Sequence, residues 1–320
     1  MSKRKVPILL SFYGLSNGNR SLFFGKLAYS PTGDLDFRNF NRTKTFFTIV
    51  ALYRTRGIRH REFIMEFDHG VIKGTTDESG SFWCEVVMDE RQTKLKSITL
   101  ASTGEQVSLT EDLYTNRIHS VRSDTIVISD LDDTLIHSFI SNKLKQVKTL
   151  LFTTVEKRTA VVTMANLIKG FASAGAGPFY LSNSEQNLYP MLFRFLIMNG
   201  FPAGPLFLRQ YIRLRHFMMQ KLRGKKSIHK RTSLEKIMEM FPDKKMILVG
   251  DNTQHDLAIY LEFALRYPEN IRFIIIREVL KTRLHEAQLE RAKNTLKSFN
   301  IGLHYESDFP EDLAAKLMGQ

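Results

Sequence analysis

Three carboxylates fall within four residues in Asp130-Leu131-Asp132-Asp133, directly after the apolar run Thr-Ile-Val-Ile at 125–128. Acidic groups at the end of a buried strand are costly to desolvate unless a cation or a proton neutralises them. One reading is therefore a site where a bound cation neutralises them. The plainer reading is a solvated Asp-rich turn that caps the following helix. A second acidic cluster, Asp251 and Asp256 in Gly250-Asp251-Asn252-Thr253-Gln254-His255-Asp256, follows the apolar run 245–249. A helix cap accounts for either carboxylate, and less well for both. Between the two clusters, Ser182-Asn183-Ser184 follows the run 178–181. It reads as a helix N-cap, or as a hydroxyl and free amides where an anion would sit. Lys230 precedes Thr232 and Glu235, a capping box that predicts a helix over 233–241. By itself it is one surface charge among many.

Each of these residues stands where one element gives way to another. From about residue 123, short apolar runs at 125–129, 178–181, 245–249 and 271–276 alternate with helical periods. Those periods cover 138–153, 160–174, 186–198, 233–241, 256–267 and 279–298. Buried strands alternating with helices predict a mostly parallel sheet, whose ligands gather beyond the carboxyl ends of its strands. Residues 1–120 differ. Short or alternating apolar runs at 12–15, 21–29, 45–53, 61–67, 81–88 and 97–101 are separated by turn clusters such as Ser16-Asn17-Gly18-Asn19. The prediction is an all-β, sandwich-like domain over 1–120, followed by an α/β domain over 121–320.

The chain of 320 residues is long enough for two cores, and 43% hydrophobic residues exclude a disordered chain. Its single cysteine, Cys84, excludes a disulfide within the chain and a Cys-based zinc cage, and suits a reducing, cytoplasmic compartment. The basic start has too short an apolar run for a signal peptide, and no stretch approaches the roughly 18 apolar residues of a membrane span. A net charge of +13 favours anionic partners. With 17 basic and 13 acidic residues in 1–120, most of that excess, +9, falls in 121–320.

Taken in order, Asp-x-Asp-x-Thr, then Ser, then Lys, then Gly-Asp with a further Asp resemble the haloacid-dehalogenase superfamily of phosphotransferases. Longer stretches narrow the resemblance: Ile-Ser-Asp-Leu-Asp-Asp-Thr-Leu (128–135), Phe-Tyr-Leu-Ser-Asn-Ser (179–184), Leu-Tyr-Pro-Met-Leu-Phe-Arg-Phe-Leu (188–196) and Gly-Phe-Pro-Ala-Gly-Pro-Leu-Phe-Leu-Arg (200–209). Residues 126–279 are similar to the catalytic domain of the actin-patch-type phosphatidate phosphatases. More faintly, Phe-x-Gly-Lys-Leu (23–27) and Gly-Thr-Thr-Asp-x-x-Gly-x-Phe (74–82) resemble the β-domain that precedes it in bacterial relatives. The resemblance implies a Rossmann-like, mostly parallel sheet with helices on both faces. About 45 residues between Asp132 and the second strand leave little room for a large cap, so the site suits a bulky phosphomonoester.

Carried over residue by residue, the resemblance makes Asp130 the nucleophile and Asp132 the general acid/base. Thr134, Ser182, Asn183 and Lys230 become phosphate ligands. Asp130, the Asp132 carbonyl, Asp251 and, in support, Asp256 become metal ligands, and oxygen donors alone point to Mg²⁺. Two positions depart from the family pattern. Glu185 stands where the family usually has Pro, adding a negative charge near an anion site, and Asn252-Thr253 stand where it prefers Ser-Gly.

Residues 209–231 hold nine Lys/Arg and no Asp or Glu, with apolar residues at helical spacing in the middle. That describes either an amphipathic helix with a solvated basic face or an interfacial helix drawn to anionic lipid. The expected activity is Mg²⁺-dependent hydrolysis of phosphatidic acid by a cytoplasmic enzyme bound peripherally to an anionic phospholipid membrane. The alternatives are a phosphatase for another bulky phosphomonoester, such as a phosphoprotein or a nucleic-acid end, and a non-catalytic acidic-lipid-binding module. No nucleic-acid-binding motif or aromatic stacking platform is visible.

Overall fold

The computed structural model describes residues 5–30, 51–52, 54–87, 94–109, 116, 118–131, 155–210, 226–252, 255–279 and 284–319. Asp132, Thr134, the period 138–153 and most of the basic stretch, 211–225, lie outside the described residues. The fold has two units. One comprises 1–121 with the later segments 184–195 and 208–217, and the other comprises 122–183, 196–207 and 218–320.

The first unit is built on β1 (Val6–Ser16), β2 (Ser21–Ser30), β3 (Arg56–Gly57), β4 (Glu62–Phe67), β5 (Val71–Thr75), β6 (Ser81–Val86), β7 (Leu95–Leu100) and β8 (Ile118–Ser120). Asn17 closes the β1–β2 hairpin: its Oδ1 accepts from the Asn19 and Arg20 amides at 3.0 and 2.8 Å, the Asx geometry of a tight turn. β2 pairs antiparallel with β1, β3 and β6, and β8 joins β1 in parallel. A second, antiparallel sheet has the order β5-β4-β7. β1 and β2 are buried at successive positions, hence on both faces. Phe23 against Phe67 and Phe63 against Phe82, with ring centroids 4.9 and 4.8 Å apart, join the two sheets.

The chain then runs through β9 (Thr125–Asp130), α1 (Val155–Ser173), β10 (Gly177–Glu185), a 3₁₀ turn (Gln186–Leu188), α2 (Tyr189–Met198), β11 (Leu206–Arg209) and α3 (Lys226–Met240). It ends in β12 (Lys245–Asp251), α4 (Asp256–Arg266), β13 (Ile271–Arg277), α5 (Glu286–Lys297), β14 (Gly302–Glu306) and α6 (Leu313–Met318). The sheet order is β11-β10-β9-β12-β13-β14, and β10 through β14, β11 apart, pair in parallel along it. The chain therefore starts in the centre, moves outward through β10 and β11, returns beside β9 and moves outward the other way. Right-handed crossovers then place α1 and α4 on opposite faces of the sheet. In the structure α1 packs on α6, while α3, α4 and α5 pack side by side. The order reverses between β9 and β12, whose carboxyl ends bear Asp130 and Asp251, and a ligand crevice opens at such a reversal. Among the described residues no helix is long and apolar enough to cross a membrane.

Several elements differ from the sequence reading. α3 begins at Lys226, so Thr232 and Glu235 lie within it and form no capping box. The Glu235 carboxylate faces α4 instead and pairs with Arg266 at 2.5 Å, beside an Arg231–Glu262 pair at 2.6 Å. Ser182 caps no helix, because β10 continues through Glu185. Ala51, Leu52 and Arg54, at the end of the run 45–53 expected as a strand, are helical. β11, β14 and α6, of four, five and six residues, are absent from the predicted elements because each is too short to show a period.

Candidate active site

Asp130 is the last residue of β9, a strand buried along its whole length. Its register partner on β10 is Leu181, which sets Ser182 and Asn183 one and two residues further along the neighbouring strand end. On the other side β12 delivers Asp251, and α4 opens with Asp256. Lys230 comes from the second turn of α3 and shares that helix's buried face with Leu234, Ile237 and Phe241. Asp130, Ser182, Lys230, Asp251 and Asp256 are all fully buried, at 0% exposure.

The Lys230 ammonium ties the cluster together, with Nζ 2.7 Å from Asp130 Oδ1 and 2.5 Å from Asp256 Oδ1. Asp256 Oδ2 accepts the Asp251 backbone amide at 3.3 Å, so one carboxylate orients both the lysine and the end of β12. Gly250 makes this approach possible: a Cβ there would lie 2.6 Å from Asp256 Oδ2 and 3.0 Å from the Tyr260 ring. Tyr260, one turn after Asp256, is buried and donates its hydroxyl to the Val249 carbonyl at 3.1 Å. Burial, and then the charges of Asp256, Asp130 and Asp251, push its phenol well above the usual range. All three carboxylates thus act on one hydroxyl, which stays a proton donor.

Among the described residues, the carboxylates of Asp130, Asp251 and Asp256 are buried together with the Lys230 ammonium. Carboxylates gathered out of water favour a bound cation. Hard oxygen donors fit Mg²⁺. Among the described residues, no three acidic, His or Cys side chains already form a metal cage, and the expected ligand Asp132 lies outside those residues. Asp130 and Asp251, at the ends of neighbouring strands, could hold such an ion. Asp256 lies alongside, engaged with Lys230 and the Asp251 amide.

The structure brings Asp130, Lys230, Asp251 and Asp256 into contact and sets Ser182 and Asn183 at the adjacent strand end. Sequence reasoning missed Tyr260, although its spacing of four from Asp256 puts both on one helix face. Glu185, the negative charge noted beside Ser182-Asn183-Ser184, has a partner of its own. Glu185 is buried and pairs with Arg209 at 3.4 Å, so its charge is answered locally. Asn252, the other departure, has a structural use. It accepts the Val279 amide at 2.8 Å and donates to the Tyr305 hydroxyl at 3.0 Å, tying the loop after Asp251 to the ends of β13 and β14. In the basic stretch Arg209, Lys230 and Arg231 are each paired with a carboxylate, so the run is not one uniform solvated face.

Residues 125–278 match the family described as phosphatidate phosphatase APP1, catalytic domain. The chain is 29% identical over 207 residues to the phosphatidate phosphatase APP1 of Saccharomyces cerevisiae, an alignment covering 64% of this chain and 34% of that protein. It is 27% identical over 246 residues to an uncharacterized protein of Schizosaccharomyces pombe, covering 74% of this chain and 38% of that one. The chain therefore spans little more than a third of these relatives' lengths. A solved carbohydrate acetylesterase from Xanthomonas citri has a TM-score of 0.33 at 9% identity, over 99% of this chain and 73% of that one, a likeness too slight to carry an argument.

Proposed function

Because residues 125–278 belong to the family of the phosphatidate phosphatase APP1 catalytic domain, we propose that the chain is a Mg²⁺-dependent phosphatidate phosphatase. It hydrolyses phosphatidic acid to diacylglycerol and inorganic phosphate. The observation that carries the reading is Asp130 at the end of the central strand, fully buried and held by Lys230 beside Asp251 and Asp256. The fold in this reading is haloacid-dehalogenase-like, without a large cap.

The Asp130 carboxylate attacks phosphorus and forms an aspartyl-phosphate as the bond to the glycerol oxygen breaks. Asp132 gives its proton to that leaving oxygen, then takes one from the water that attacks the aspartyl-phosphate. Lys230, the Ser182 hydroxyl, Asn183 and Thr134 hold the charge on the phosphoryl oxygens. Mg²⁺, held by Asp130, Asp251 and the Asp132 carbonyl, would supply further positive charge at the phosphoryl group. Attachment to an anionic membrane, on the cytoplasmic side and through the basic stretch, belongs to the same proposal.

The test is phosphate release from phosphatidic acid vesicles, phosphoprotein, nucleotide ends and a small aryl phosphate, with Mg²⁺ and with EDTA. Phosphatidic acid is expected to lead, and EDTA to stop the reaction. Asp130→Asn should abolish release from every substrate. Asp132→Asn should fail on the alkyl ester yet recover in part on the aryl phosphate, whose leaving group needs no proton. Full turnover by Asp130→Asn, or in EDTA, refutes the mechanism.

A further inference from the structure

The reaction proposed above makes no use of Lys26, an ammonium in β2 that is 1% exposed. Its Nζ donates to Asn187 Oδ1 at 2.8 Å. Burial lowers its pKa to about 8, while Asp77 and Glu185 favour its charge and Arg59 opposes it. Its contribution lies in what it holds.

It holds the segment after β10, where every side chain from 185 to 187 has a polar anchor. Glu185 pairs with Arg209 at 3.4 Å. Gln186 donates to Ser11 Oγ at 3.2 Å and accepts from Ser81 Oγ at 2.6 Å. Asn187, besides accepting from Lys26, donates to the Leu52 carbonyl at 3.1 Å. Ser182 and Asn183 stand three and two residues before Glu185 on the same strand. Glu185 has φ −78° and ψ 144°, a backbone that proline adopts unaided, and it occupies the position where the family pattern has proline.

We propose that Lys26, with Glu185, Asn187 and Arg209, is a polar latch that positions Ser182 and Asn183 for the phosphoryl group, holding by charge and hydrogen bonds a backbone that proline holds covalently. Lys26 and its partners are positioning residues, not catalytic ones. The inference rests on the phosphatase reading for what the latch serves, and on the contacts alone for the latch itself.

The experiment compares the full chain with Lys26→Met, which keeps the stem, and Glu185→Gln, which keeps the size. Backbone hydrogen exchange is followed by peptide, and inorganic phosphate is the inhibitor of aryl phosphate hydrolysis. In Lys26→Met, exchange across 182–188 should rise at least about tenfold while peptides from 125–131 and 245–251 keep wild-type rates. The inhibition constant for phosphate should rise about tenfold, since misplacement by about 1 Å costs up to about a hundredfold. Glu185→Gln should show the same pattern to a smaller degree, and it decides alone if Lys26→Met does not fold. Wild-type exchange at 182–188 overturns the latch, and so does a uniform acceleration along the whole chain. A wild-type protein inert toward every phosphomonoester would sink the phosphatase reading, and the exchange pattern would still judge the latch.

Discussion

Replacing Lys230 by Met takes its ammonium out of the carboxylate cluster and leaves most of its stem in place. Nζ lies 2.7 Å from Asp130 Oδ1 and 2.5 Å from Asp256 Oδ1, so those two oxygens lie within 5.2 Å of each other. At an effective dielectric constant of about 20, each attraction is roughly 6 kcal/mol before desolvation is counted. The repulsion left behind is at least about 3 kcal/mol. The ammonium no longer has to be desolvated, which returns several kcal/mol, and the net loss expected for breaking a buried pair is about 3–5 kcal/mol. Urea unfolding of wild type and variant, followed by circular dichroism in EDTA, should register that loss. Millimolar Mg²⁺ should narrow the gap, because the site without its ammonium is more negative, binds the cation more tightly and so gains more of the RT ln(1 + [L]/Kd) that a ligand of the folded state supplies. Equal midpoints in EDTA would refute the argument, since the ammonium would then not be what allows the carboxylates to stay buried together. Midpoints that Mg²⁺ leaves unmoved in both proteins would refute the cation-binding half alone.

Gly250→Ala should lower the calorimetric midpoint, at a cost of about 1–3 kcal/mol for overpacking, because its Cβ meets Asp256 and Tyr260, themselves fixed by Lys230 and Val249. Lys26 makes stability depend on pH. Its folded pKa of about 8 lies below the ordinary 10.5, so between those values the unfolded chain binds more protons and stability rises with pH, by up to about 3 kcal/mol. Urea midpoints at pH 7.5 and 10.5 should show that rise in wild type, and Lys26→Met should lack it. Replacing Arg213, Arg215, Lys225 and Lys226 together by Gln should lower turnover on phosphatidic acid vesicles, less so at high salt, and leave a small aryl phosphate untouched. Parallel loss on both substrates would show that the segment supports the site and does not dock on lipid.

The sequence exposed those parts of the fold whose period is set by burial alone. β9, β12 and β13 are buried runs with strong signals, and each expected strand start falls within a residue of the observed one. The acidic clusters were legible for the same reason, since each ends such a run. What the sequence hid depends on partners far along the chain. Glu235 looks like a capping residue until Arg266 is opposite it. Glu185 looks like a stray charge until Arg209 answers it. Ser182 resembles an N-cap because Ser and Asn favour that position, but β10 continues for three more residues. Tyr260 carries no local signal beyond its spacing from Asp256, and its role depends on charges from two other elements.

The order in which the chain is made sets a timetable for the β-rich unit. Lys26 leaves the ribosome 161 residues before Asn187, its hydrogen-bond acceptor, and the unit is complete only when 208–217 has followed. At about 5–20 residues per second, roughly 5–20 s pass between synthesis of residue 121 and of residue 217. During that interval β1 and β2, apolar on both faces, have neither the Tyr189 hydroxyl that reaches Phe12 nor the Gln186 amide that reaches Ser11. The nascent strands are then an aggregation hazard that a chaperone would have to cover. A gene cut after codon 121 would make that interval permanent.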